Sequence, residues 1–265
     1  FGRRSGEHAA AMLASARALL AANDFLTGPT RKPADEMSGE DFSVKILQDA
    51  SQPAVFRSMA LRMIRPDQPT LTAAKLQRFI DGDDASLRRE AIRTLVMRGD
   101  EASQELLRNL ARKAVKTGFQ ADAVMGLAHS APGSEATREV LLALIEQKDL
   151  QRDVLRSLRD TGDKPEVEAS LLKWWDGLAR SAGERHELAG QLLFTLGASK
   201  SAAMETRRAS LMTFAGVRPR GEAAWRAVLT GQGDPAAGER VFFHPRGPRC
   251  HSCHRVDGRG GGIGP

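Results

Sequence analysis

The sequence predicts an all-α fold built from repeated helix pairs, and three observations carry that prediction. Ala, Leu and Arg dominate the composition, aromatic residues make up 5% and Tyr is absent, which favours helices over a sheet. Apolar residues recur at three- and four-residue steps in segments separated by Asp/Gly/Pro clusters, such as Asp81-Gly82-Asp83-Asp84 and Ala131-Pro132-Gly133-Ser134. The segments also repeat: Arg57-Ser58-Met59-Ala60-Leu61-Arg62-Met63-Ile64 aligns with Arg88-Arg89-Glu90-Ala91-Ile92-Arg93-Thr94-Leu95 at an offset of 31. A length of 265 residues with 41% hydrophobic content suits one or two globular units with a real core.

Residues 1–40 read as an N-terminal helix and linker. The Ala/Leu-rich stretch from His8 to about residue 23 is interrupted by Arg17 and is followed by no convincing small-residue cleavage site, so it reads as a helix of the fold rather than a signal core. A polar, Pro/Gly-punctuated connection follows from Thr27 to Gly39. Residues 41–215 hold the repeats. A shift of 32 from Ala91, Ile92 and Leu95 reaches Ala123, Val124 and Leu127, 31 more reaches Val154, Leu155 and Leu158, and a weaker copy lies at Ala189, Gly190 and Leu193. Each copy follows another amphipathic segment: 44–47, 71–80, 106–115, 140–145 and 167–178. This pattern resembles HEAT repeats, whose two-helix units stack because no single unit can bury its apolar face; the resemblance implies about five units over residues 41 to 198.

The repeat gives its positions roles. Ala60, Ala91 and Ala123 are expected where second helices approach their neighbours, with Leu95, Leu127 and Leu158 as core residues. Arg57 with Arg88, and Arg62 with Arg93 and Arg156, form arginine ladders; Glu90/Arg93 and Asp153/Arg156 are expected as exposed ion pairs worth a few tenths of a kcal/mol. The functional alternative is a basic groove for an acidic partner domain. Trp174-Trp175 and the methionines Met59, Met63, Met97 and Met125 are expected in the core, and His129 and His186 at helix ends or on the surface. After a helix at 201–215, residues 216–232 form a spacer with a short helix at 222–229 carrying Trp225, then a hinge at 230–233.

Cys250-His251-Ser252-Cys253-His254 contains both cysteines of the chain. Two thiols at this spacing can each add to a vinyl group of one haem, and the following histidine is placed to ligate its iron. A redox disulfide would want a thioredoxin-like strand-to-helix setting, whereas this pair sits in an Arg/Pro/Gly-rich loop. A structural zinc site needs four ligands; His244, His251 and His254 could join the cysteines, but no second knuckle is present.

Upstream, Gly233-Asp234-Pro235-Ala236-Ala237-Gly238-Glu239-Arg240-Val241-Phe242 opens as a helix with Asp234 as N-cap and Pro235 at its first position. The helix is expected to end before Pro245, and a loop delivers the cysteines. Downstream runs Val256-Asp257-Gly258-Arg259-Gly260-Gly261-Gly262-Ile263-Gly264-Pro265. Residues 233–265 resemble the truncated N-terminal part of a cytochrome c domain. The resemblance implies that Gly238 and Phe242 face the domain's last helix and that Cys250 and Cys253 hold haem c. It also implies His254 as proximal axial ligand, and a carbonyl of Pro265 that accepts a hydrogen bond from the His254 ring. The family's usual second axial methionine is expected beyond Pro265; His244 or a repeat methionine is the alternative within the chain.

The order of HEAT-type repeats, Trp-bearing spacer and haem motif resembles bacterial secreted haem-binding proteins with HEAT repeats, often linked to a propeller-type dehydrogenase domain. That resemblance implies electron transfer through one haem c, the repeats serving as scaffold. It also implies electron donor and acceptor proteins or an upstream dehydrogenase domain as partners, and a periplasmic or otherwise exported location. No residue matches a dehydrogenase active site. The rival readings are a protein-interaction scaffold and a haem enzyme such as a peroxidase. The net charge of +6 reads as arginine interleaved with acids for solubility, because no block of five or six like charges occurs. No nucleic-acid-binding motif and no apolar run of membrane-spanning length is present.

Overall fold

The computed structural model describes residues 39–113, 117–178, 182–216, 219–229, 233–256 and 259–260. The expected helix at 8–23, the connection before residue 39, hinge residues 230–232 and Pro265 lie outside them. Among the described residues the chain forms thirteen α-helices and a single hairpin of two-residue strands, so the fold is all-α. No described helix is long and apolar enough to cross a membrane. The chain divides into two compact units, residues 71–248 and residues 1–70 with 249–265.

In the second of these units, α1 (Gly39–Gln48) packs against α2 (Ala54–Met63). Leu47, Ala60, Leu61 and Ile64 supply the buried apolar side chains. The turn between them is organised by Asp49, whose carboxylate accepts from the Ser51 N–H (2.9 Å), the Ser51 hydroxyl (2.6 Å) and the Gln52 amide (3.0 Å). These bonds, led by that from the Ser51 hydroxyl, hold the carboxyl below its ordinary range. Arg65 closes the pair by reaching Glu40 at 3.3 Å.

Unit 71–248 runs through α3 (Ala73–Asp81), α4 (Ala85–Arg98), α5 (Glu101–Arg112), α6 (Thr117–Leu127), α7 (Glu135–Ala143), α8 (Gln151–Ser157), a 3-10 turn (Arg159–Thr161), α9 (Pro165–Asp176), α10 (Ala182–Thr195), α11 (Ala202–Ala215), α12 (Glu222–Val228) and α13 (Pro235–Phe242). Side-chain caps start many of them. Thr72, Asp84, Asp100, Ser134, Ser201 and Asp234 each accept an orphan N–H of the first turn, which an apolar residue there could not do. Two rows result: α3, α5, α7 and α9 touch in succession, and so do α4, α6, α8 and α10. Ala91, Ala123, Leu95, Leu127 and Leu158 are fully buried where the rows meet, as the repeat predicts. Beyond α10 the packing shifts to α11, with Trp175 edge-on to Phe214 at 5.8 Å and both tryptophans of α9 buried. His186 Nδ1 lies 2.9 Å from the Phe214 carbonyl in the last turn of α11, a helix-end role.

Two expectations are corrected. Met125 is buried, but Met63 and Met97 are 68% and 69% exposed. Each follows a buried leucine, Leu61 or Leu95, by two residues, and about 200° of helical rotation turns it to water. The first arginine ladder is not a row of exposed ion pairs. Arg57 Nε donates to the Leu47 carbonyl at 3.1 Å and Arg88 Nε to the Ile80 carbonyl at 2.7 Å, both in the last turn of the preceding helix. At the next repeat position Gln120 does the same to Ala111 at 2.7 Å. The repeat places a long donor where a helix leaves carbonyls unpaired.

Candidate functional site

The Cys250–His254 segment is a single tight turn. Arg249 enters it in the left-handed region (φ 57°), a 3-10 turn spans Cys250–Ser252, and the N–H groups of Cys253 and His254 both donate to the Cys250 carbonyl, at 3.3 and 2.9 Å. Side chains three apart on a 3-10 turn lie over one another, which pairs Cys250 with Cys253, and His254 follows directly in the chain. Both cysteines are free thiols; Cys250 is half-buried and Cys253 exposed. The chain then forms β1 (Arg255–Val256), which pairs antiparallel with β2 (Arg259–Gly260) in the register Arg255 to Gly260 and Val256 to Arg259. Gly260 (φ 98°) lies so close that a Cβ there would meet the carbonyl oxygens of His254 at 2.2 Å and His251 at 2.8 Å. The hairpin backs the turn, and only glycine fits the contact.

This donor set fits a haem c. The group uses two reduced thiols three apart and an imidazole directly after the second, with only the imidazole reaching the metal. A structural zinc would instead need several side chains converging on one point, and no three His, Cys, Asp or Glu side chains do so among the described residues. The second-shell carbonyl expected from Pro265 falls outside the described residues.

Helix α13, which leads toward the cysteines, starts at the expected Asp234 cap and ends at Phe242, before Pro245. It lies on the second row of helices. Arg93 of α4 pairs with Glu239, and Arg240 reaches Asp153 of α8 at 3.1 Å. The Glu90/Arg93 and Asp153/Arg156 pairs exist, at 3.1 and 3.6 Å, but the acids are buried rather than exposed, because α13 and its neighbours cover them. Between them sits Asp122 of α6, whose carboxyl burial pushes upward against the attraction of Arg93, Arg240 and Arg89. Glu90, Asp122 and Asp153 recur at steps of 32 and 31, an acidic ladder that sequence reasoning passed over in favour of the arginines. The groove expected for an acidic partner is thus mixed in charge, and within this unit it holds the chain's own helix.

The loop after α13 is fastened to the same face. Arg246 Nε donates to Asp160 at 2.8 Å, and Arg159 donates to the Arg246 carbonyl at 3.4 Å while stacking on Phe194 at 4.1 Å. His244 lies beneath this loop, 3% exposed. Its Nδ1 accepts the Arg246 N–H at 3.2 Å, and its Nε2 meets no hydrogen-bond partner among the described residues. Burial first, then the charges of Arg156 and Arg159, depress its pKa to about 4, so the ring is neutral at pH 7.

No known protein family, curated protein or solved structure matches this chain. The functional reading therefore stands on the residues and their geometry.

Proposed function

We propose that this chain carries one covalently attached haem c and transfers electrons, on a HEAT-like helical scaffold that spans residues 41–215, with residues 233–265 opening the haem-bearing part. The observation that carries the reading is the turn at residues 250–254: two free thiols three apart with an imidazole directly after the second, in a turn closed on the Cys250 carbonyl and backed by a hairpin that requires Gly260. The Cys250 and Cys253 thiols would each add across a vinyl double bond, the S–H hydrogen passing to the vinyl carbon, and His254 would supply the proximal nitrogen. When bound, a haem c supplies a one-electron iron couple whose potential follows axial ligation, burial and hydrogen bonding.

The scaffold part of the proposal rests on the two helix rows, on the 31- to 32-residue recurrence, and on the repeated donors Arg57, Arg88 and Gln120. Partners would be a one-electron donor and acceptor, or an oxidising domain such as a dehydrogenase in a longer polypeptide. Haem c attachment places the protein outside the bacterial cytoplasmic membrane in this reading.

The test is mass spectrometry of the tryptic peptide Cys250–Arg255 after export of the chain alongside a haem c attachment machinery. The expected result is a peptide heavier by one haem with visible absorption, lost together in Cys250→Ser with Cys253→Ser. An unmodified peptide, or one holding only a disulfide, overturns the proposal.

A further inference from the structure

We propose that His244 is a proton-sensitive catch that holds the loop after α13 against the 3-10 turn and α8, closed at neutral pH and opened by acid. The hydrogen bonding fixes the ring's state. Because Nδ1 accepts the Arg246 N–H, its lone pair is unprotonated and the single ring proton sits on Nε2. Acid can add a proton only at Nδ1, and doing so sets an N–H against the Arg246 N–H and breaks the bond that ties the ring across the 244–247 turn, leaving only the Gly247 N–H to His244 carbonyl bond to close it.

The surroundings then oppose the new charge. The charged groups facing the ring are Arg156 from α8, Arg159 and Asp160 from the 3-10 turn, and Arg246 from the loop itself. Three are cationic. Asp160 is engaged by Arg246, and Asp153, the carboxylate beside Arg156, is shared with Arg240. A buried imidazolium would thus stand among three guanidiniums with one committed carboxylate, in a site where Gly247 already packs tightly over the ring. Opening the loop hydrates the ring and removes the conflict. The loop is the last stretch of unit 71–248 before Arg249, so the catch governs how firmly the end of that unit is held. The device depends on no bound haem, and its failure would leave the proposed function untouched.

Hydrogen–deuterium exchange on the whole chain, corrected for intrinsic rates, tests it between pH 7 and pH 4.5. With a folded pKa of about 4 against an ordinary 6.5, the opening constant of residues 244–249 should rise about fiftyfold over that range while α5 and α7 stay protected. His244→Phe, which keeps a flat apolar ring, should abolish the pH response of that segment. Nitrogen-15 spectra of labelled histidine should show His244 as the Nε2–H tautomer, titrating well below the other rings. A wild-type loop whose protection is flat with pH, an unchanged response in His244→Phe, or a His244 signal titrating near 6.5 would each overturn the proposal.

Discussion

Arg240→Met breaks the ion pair that fastens α13 to the second row, and the geometry sets its cost. The Arg240 and Asp153 side chains are only 11% and 6% exposed and meet at 3.1 Å, so neither charge is well hydrated. An exposed pair contributes under about 1 kcal/mol, whereas removing one partner of a buried pair costs about 3–5 kcal/mol because the other is left uncompensated. Here Asp153 keeps Arg156 at 3.6 Å, which places the expected loss at the lower end, about 3 kcal/mol. Urea unfolding followed by the fluorescence of Trp174 and Trp175 reads the global part, and amide exchange in residues 236–242 reads any local release of the helix. A double-mutant cycle with Asp153→Asn should give a coupling above about 1.5 kcal/mol. A coupling under about 0.5 kcal/mol, with α13 amides as protected as in the wild type, would refute the view that this pair anchors the helix.

Arg88→Ala removes bonds to the Ile80 and Gly82 carbonyls and is expected to cost about 1.5–3 kcal/mol in denaturant unfolding, with Gln120→Ala costing about 1 kcal/mol at the equivalent neutral bond. Gly162→Ala would drive a Cβ to 2.1 Å from the Thr195 carbonyl oxygen, backbone that cannot step aside, so it should lower Tm more than any surface substitution in the same turn. Under mild peroxide Met63 and Met97 should oxidise well before Met125 and Met204, as peptide mapping would show. Asp122 carries a raised carboxyl pKa, so the folded state holds its proton more tightly than the unfolded chain and stability is lost as pH rises from 3.8 through the folded value. Asp122→Asn should therefore gain on the wild type between pH 4 and pH 7 in urea midpoints, and a constant difference would count against the burial argument.

The start of α13 was legible because it is local: Asp234 caps within its own first turn, and the chemistry needs no tertiary partner; Asp84 and Ser134, which end clusters read as separators, cap in the same way. Buried positions such as Ala91, Ala123 and Leu127 were legible because the recurrence of 31 and 32 residues repeats one environment. Met63 and Met97 misled because hydrophobicity alone does not say where an apolar arc ends. The roles of Arg57 and Arg88 were hidden for a different reason. A ladder of identical charges reads the same whether it faces acids, water or helix-end carbonyls, and only the neighbouring glutamine at position 120, neutral yet equivalent, betrays that the position asks for a donor rather than a charge. The Cys-x-x-Cys-His spacing is visible in the sequence alone, while the packing of α13 and of the loop after His244 depends on residues some 90 positions upstream and left no local trace.

The acidic ladder has a consequence for how the proposed scaffold would work. Glu90, Asp122 and Asp153 bring negative charge to a surface whose arginines alone would repel a helix carrying Arg240, and Glu239 answers Arg93 in turn. Alternating signs fix one register of α13 along the row: sliding it by one repeat would set Arg240 against a position with no equivalent partner pair and Glu239 against Met125, which stands where Arg93 and Arg156 stand in the flanking copies. A repeat array offers near-identical docking sites by construction, so a break in its pattern is what can single out one of them.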